Sequence, residues 1–168
     1  GYLRNTAVGT LEMADGLERA LKIANEQGYG LLVWDAYRPV RAVNCFADWA
    51  SRPEDGRTKA RHYPNVDKSQ LFELGYIAHS SGHSRGSSVD LTLTDMDGQP
   101  LDMGTCFDFM DDASHHDSLL VPPEATARRN LLRDIMGRAG FKPYSCEWWH
   151  YNLANEPYPN TYFDFPVE

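Results

Sequence analysis

The chain has 168 residues, 42% hydrophobic and 12% aromatic, with no low-complexity run, so one domain spanning residues 1–168 can bury its core without metal or disulfide staples. Sixteen basic against twenty-four acidic residues leave a formal charge of -8, the wrong sign for a protein that must neutralise nucleic-acid phosphates. No stretch approaches the roughly 18 consecutive apolar residues of a membrane span, and no basic start followed by an apolar run marks a secretory signal.

Met13, Leu17, Ala20, Leu21 and Ala24 recur at helical spacing within residues 11–27, and Gly28 follows where a helix stops. Leu31-Leu32-Val33-Trp34, between Gly30 and Asp35, reads as a buried strand. Pro39 suits the start of a second helix running to about Ala50. Residues 51–66 are polar and carry two prolines, so a surface loop is expected, followed by an Asp67/Gln70 capping box and a short helix ending at Gly75. A strand from Tyr76 to about His79 is expected to lead into a serine- and glycine-rich loop over 80–88. Val89, Leu91 and Leu93 then alternate with Asp90, Thr92 and Thr94, a period of two that sends Asp90 away from the core.

Asp95-Met96-Asp97-Gly98 has hairpin-turn chemistry, and the irregular acidic stretch to Asp117 would suit a loop over a site. Pro122 and Pro123 precede a helix through Ala127, Leu131, Ile135 and Met136, closed at Gly140. One strand from Phe141 to about His150 is expected next. The last eighteen residues are too aromatic for a free tail and too proline-rich for a regular element, so they should wrap against the body. Helices and strands do not alternate as a doubly wound sheet requires, which points to α+β with a mainly antiparallel central sheet flanked by helices.

A catalytic zinc takes three ligands from His, Asp and Glu and keeps a further position open. His83 on a glycine-flanked loop and Asp90 on the following strand can reach one point if Gly86 makes the turn tight. Glu147-Trp148-Trp149-His150 adds an acid and a histidine three apart, which share a side in a helical turn or a bulged strand end. Taken singly these residues have plainer readings: a hydrogen-bonded structural histidine, an aspartate serving loop amides, core tryptophans. His62, His79, His115 and His116 compete as ligands on spacing alone. Cys45, Cys106 and Cys146 read as free thiols, or as a Cys106–Cys146 pair, since each of those two lies within two residues of a candidate site position.

Ser81-Gly82-His83-Ser84-Arg85-Gly86-Ser87-Ser88-Val89-Asp90 resembles the S-x-H-x-x-G-x-x-x-D signature, and Glu147-Trp148-Trp149-His150 the E-x-x-H signature, of the VanX-type D-alanyl-D-alanine dipeptidases. The likeness extends through Trp34-Asp35-Ala36-Tyr37-Arg38-Pro39, Phe107-Asp108-Phe109-Met110-Asp111 and Glu156-Pro157-Tyr158-Pro159, nearly the whole chain. It implies a hedgehog/D,D-peptidase-like fold and one zinc held by His83, Asp90 and His150. It further implies Glu147 as base and acid, Arg38 at the developing oxyanion, and Asp108 with Ser81 at the substrate ammonium. The implied reaction is hydrolysis of a small D,D-dipeptide, in glycopeptide resistance or wall recycling. The implied alternatives are a D,D-carboxypeptidase trimming stem peptides and a zinc-holding binding module. Members of this family carry a segment ahead of the residues matching Gly1-Tyr2 that brings a tyrosine to the pocket, and its absence would weaken activity. Gly82 stands where relatives often have a second serine. The expected compartment is the cytoplasm, or the periplasm had a leader been removed before Gly1.

Overall fold

The computed structural model describes residues 1–168. Helix α1, Leu11–Asn25, starts where Thr10 Oγ accepts from the Met13 amide at 3.2 Å. It ends before Gly28, whose φ of 81° is left-handed backbone that glycine adopts without strain. Strand β1, Gly30–Asp35, is followed by helix α2, Val40–Ser51, and a single helical turn, α3, Lys59–His62, inside the expected loop. Strand β2 is Ser88–Thr94, helix α4 Pro123–Arg138, strand β3 Phe141–Tyr144 and strand β4 Glu147–Leu153. The four strands form one antiparallel sheet in the order β1-β2-β4-β3, so the expected α+β class with an antiparallel sheet is what the chain adopts.

Helices α1 and α4 lie against each other and against the sheet. Met13, Ala20 and Ala24 of α1 and Leu132, Ile135 and Met136 of α4 meet Val89, Leu91 and Leu93 of β2 in one core, as the period-two reading of that strand requires. Leu91 and Leu93 have no solvent exposure. A smaller cluster of Ala50, Tyr63, Leu71 and Ile77 anchors the end of α2 and the segment after it.

Several local expectations give way. Residues 76–79 form no strand; Ile77 is instead spent on the smaller cluster, packed beside Leu71, whose carbonyl accepts the amides of Tyr76 and Ile77. The Asp67/Gln70 box is present but caps only a 3-10 turn, Lys68–Gln70. The turn at Asp95–Gly98 reverses the chain, yet its second arm amounts to a Thr94–Pro100 bridge, because Pro100 has no amide to continue a ladder. The expected single strand from Phe141 is a hairpin, β3 and β4, that turns at Ser145-Cys146. Asp90 does point away from the helical core, but it is 2% exposed, because every residue of this inner strand is buried. All three cysteines are free thiols, so Cys106 and Cys146 do not pair.

The carboxyl-terminal segment wraps the body as expected. Phe163 donates its amide to the Ser84 carbonyl and accepts from the Val40 amide, while the Tyr37 hydroxyl donates to the Phe165 carbonyl at 2.9 Å. Val167 pairs with Tyr2, tying the two ends of the chain together. Arg129, fully buried, donates to the carbonyls of Met103, Ala113 and His115 and so pins the irregular 103–115 segment onto α4.

His116 is 3% exposed and neither ring nitrogen has a partner. Burial, followed by the nearby Arg133 and Arg129, pushes its pKa down to about 4. A histidine whose folded pKa is depressed contributes its full stability above its unfolded value near 6.5 and loses it as pH falls toward the folded one. Unfolding free energy is therefore expected to drop by about 3 kcal/mol between roughly pH 6.5 and 4. His116→Phe should remove that acid limb, as read from denaturant melts across the pH range.

Candidate active site

The loop after the Ser80 bend folds as a 3-10 turn, Gly82–Arg85, because Ser81 Oγ accepts from the His83 amide at 3.2 Å and Gly86, at φ 72°, closes it left-handed. That turn delivers His83 to Asp90 across Gly86, the tight connection the spacing demanded. Strand β4 supplies the third group: Asp90 and His150 are paired residues of β2 and β4.

His83 Nε2 and His150 Nδ1 face each other at 3.2 Å, His150 Nδ1 lies 2.9 Å from Asp90 Oδ1, and His83 Nε2 lies 3.3 Å from Asp90 Oδ2. The ligand atoms of these three residues all fall within 4.8 Å of one another. Each imidazole commits its other nitrogen elsewhere: His83 Nδ1 to the Ala36 carbonyl and His150 Nε2 to Asn152 Oδ1. His83 Nε2 and His150 Nδ1 thereby meet at one point beside a buried carboxylate, an arrangement that can hold a cation between them. The donor set of two imidazoles and one carboxylate suits a zinc ion with an open coordination position. Burial opposes ionisation of Asp90, but the adjoining His83 and His150 outweigh it and hold its carboxyl below the usual carboxylate range.

Glu147 and His150 would sit on opposite faces of a regular strand. They share a side because Pro143 and Tyr144, successive on β3, pair with Tyr151 and Glu147 on β4, a bulge that swings Glu147 round. Its Oε2 is 4.0 Å from His150 Nδ1. Burial first, then the Asp90 and Asp108 carboxylates, push the Glu147 pKa up to about 8, with His150 and Arg38 opposing. Asp108 is pushed up to about 7 by burial and by Asp90. A cation at the His83, Asp90 and His150 point adds positive charge beside both carboxyls and lowers both values.

Asp108 stands on the backbone at φ 57°, left-handed and the one non-glycine residue so placed. Aspartate tolerates that conformation better than most side chains. His62 Nδ1 contacts the Asp108 carbonyl at 3.0 Å, and the His62 carbonyl accepts from the Met110 amide at 2.7 Å, so α3 clamps the segment on both sides of Asp108. Arg38 lies between strand and helix with Nε and Nη2 on Asp35 Oδ2 at 2.9 and 2.6 Å and its Nη2 3.8 Å from Asp90 Oδ2.

Arg38, Ser81, Asp108, Glu147 and the three clustered residues line one cleft of about 350 Å³, large enough for a small molecule. The structure thus brings together all seven site residues named from the sequence. It sets aside the four competing histidines: His62 serves the Asp108 loop, His79 stacks on Phe72 at 4.6 Å, His115 faces Tyr76 and Asp112, and His116 is walled in. Cys106 and Cys146 are not part of the cleft wall.

Sequence reasoning missed four contributors. Asp35 orients Arg38, a partnership signalled by their spacing of three at the junction of β1 and α2. Asn152, two residues beyond His150 and therefore on its face of β4, reaches the ring. Tyr144 lies edge-on to His150 with ring centroids 5.7 Å apart. The Tyr2 hydroxyl reaches Arg38, and its pKa is raised to about 12 by burial and by Asp35. Only the pairing of Tyr2 with Val167 puts it there, and no local signal announces that.

Comparison with known proteins is consistent with this geometry. The chain is 54% identical over 168 residues to a D-alanyl-D-alanine dipeptidase of Streptomyces coelicolor, covering 99% of this chain and 83% of that protein. It is 53% identical over 169 residues to a D-alanyl-D-alanine dipeptidase of Enterococcus faecium, covering 100% of this chain and 84% of that protein. Among solved structures, a variant of the vancomycin resistance D,D-pentapeptidase VanY in complex with Zn(II) superposes with a TM-score of 0.52 over 92% of this chain and 78% of the other. At 16% identity that likeness speaks for the fold alone. The Peptidase_M15 family model, described as D-ala-D-ala dipeptidase, matches residues 1–168, and with relatives above half identity along nearly the full length the chain belongs to that family.

Proposed function

We propose that this chain is a zinc metallopeptidase that hydrolyses D-alanyl-D-alanine to two D-alanines, with one zinc held by His83, Asp90 and His150. The observation that carries the reading is the convergence of His83 Nε2, His150 Nδ1 and the Asp90 carboxylate within 4.8 Å, on a chain of the D-ala-D-ala dipeptidase family. Zinc, when bound, supplies the Lewis acidity that polarises the scissile carbonyl and eases deprotonation of the attacking water. Glu147 takes that proton and returns it to the leaving amine, for which a carboxyl pushed above its ordinary range is suited. Arg38, anchored by Asp35 at the cleft wall, meets the negative charge that develops on the carbonyl oxygen.

Asp108 and Ser81, both in the cleft wall, receive the substrate ammonium in this reading, which limits the substrate to a free dipeptide. All seven residues of this reading lie in a single domain of residues 1–168, and the reaction serves peptidoglycan recycling or glycopeptide resistance. No helix is long and apolar enough to cross a membrane. Three free thiols support a reducing compartment, so we place the reaction in the cytoplasm.

The test is metal analysis joined to a panel of D,D-, L,D- and L,L-dipeptides beside a pentapeptide ending in D-alanyl-D-alanine. One zinc per chain and cleavage of the D,D-dipeptide alone are expected. Preferred trimming of the pentapeptide would make the chain a carboxypeptidase, and no D,D hydrolysis with zinc bound would make it a binding module. Arg38→Lys is expected to lower kcat by about 10²–10³, because the donors of lysine sit on one nitrogen at the end of a flexible stem, whereas the planar guanidinium spreads its own over three and can hold Asp35 while facing the oxyanion. Steady-state kinetics that left kcat intact and raised only KM would reassign Arg38 to substrate binding.

A further inference from the structure

We propose that Asn152, braced by Ser88, is a positioning residue that selects which nitrogen of His150 is offered to the metal; this rests on the zinc reading above. His150 and Asn152 are two apart on β4 and so project to the same face. Ser88 of β2 is paired directly with Asn152. The Ser88 hydroxyl donates to Asn152 Oδ1 at 2.6 Å, a usual length for O–H···O and a short one for N–H···O, which turns the amide oxygen rather than its nitrogen toward the pair. The same oxygen lies 3.3 Å from His150 Nε2. One amide oxygen has two lone pairs and accepts from both.

The consequence is chemical. A neutral imidazole carries one proton, and an acceptor at Nε2 keeps it there, leaving the lone pair on Nδ1, the nitrogen that faces Asp90 Oδ1 at 2.9 Å and His83 Nε2 at 3.2 Å. His83 is fixed in the opposite sense by a backbone acceptor, the Ala36 carbonyl. For His150 the task falls to a side chain.

Gly82 makes room for this pair. A Cβ at position 82 would lie 2.5 Å from Ser88 Oγ and 2.9 Å from Asn152 Oδ1, closer than real contacts allow. Ser88 is 1% exposed, so little water competes for its hydroxyl.

The experiment titrates zinc into the full chain against a chromophoric chelator and reads the imidazole nitrogens of the zinc-loaded wild type by ¹⁵N NMR. The double variant Ser88→Ala/Asn152→Leu removes donor and acceptor together, leaving no orphaned hydroxyl that would itself unfold the site. It is expected to weaken zinc binding about 10- to 100-fold, with little change in melting of the metal-free protein. Asn152→Asp, which keeps the acceptor, should hold zinc at least as tightly as wild type, and Gly82→Ala should reproduce the loss. The wild-type spectrum should show His150 protonated at Nε2. A double variant that binds zinc within about twofold of wild type, or a wild-type His150 protonated at Nδ1, overturns the inference while the zinc reading stands. A wild type that takes up no zinc overturns the reading beneath it.

Discussion

Glu147→Gln is expected to lower kcat by on the order of 10²–10⁴ with zinc content unchanged and KM little moved. Glutamine keeps the shape and the cleft position but cannot accept a proton from water. Zinc should remain because the carboxyl is outside the ligand set, its Oε2 4.0 Å from the nearest ligand nitrogen. A second readout separates lost proton transfer from general damage. Activity carried by a base rises with pH through that base's pKa, and burial together with Asp90 and Asp108 sets Glu147 high before any cation is added, at about 8. The acidic limb of kcat against pH should therefore vanish in the variant along with the rate. Turnover and pH profile both unchanged would remove Glu147 from the reaction.

Removal of the metal is expected to take hydrolysis to background, whether by chelation or by His83→Ala. Chelation should be reversed by added zinc and the substitution should not. The fold should survive, because the helical face of the sheet packs in a core of seventeen buried residues that includes none of the three ligands. What should fall is the melting temperature, since zinc at about a thousand times its dissociation constant adds about 4 kcal/mol to the folded state. His83→Ala also leaves Asp90 buried with one of its two imidazole partners gone, so the variant should lose stability even without metal. Circular dichroism, metal analysis and the dipeptide assay on one preparation decide the matter. A chelated protein that still turns over dipeptide would end the zinc mechanism.

The elements legible in the sequence are those whose signal is local. Helices α1, α2 and α4 each combine an apolar stripe with a capping or proline start, and β2 shows strict alternation. The strand expected at 76–79 had the right residue types but no free sheet partner, and the smaller core claimed Ile77 instead. The β3–β4 turn went unread because Ser145-Cys146 carries neither glycine nor proline. Alternation gave the direction of Asp90 correctly but could say nothing of its burial. A side chain's face is set by its own strand, whereas its burial depends on whatever covers that face.

The amino-acid sequence by itself determined the chemical types at the centre, the glycine that lets a histidine meet an aspartate seven residues later, and the resemblance that named the reaction. Spacing left six histidines open and the resemblance singled out two, but it is tertiary structure that brings them together, since His83 and His150 are separated by 67 residues and meet because β2 and β4 are neighbours. It alone also decided which nitrogen each ring presents, that β4 bulges to turn Glu147 inward, and that Asp35, Asn152 and Tyr2 stand behind the site. Hydrophobic period and turn chemistry act over a few residues and can be read along the chain, while ligand geometry is a sum of distances closed through the whole sheet.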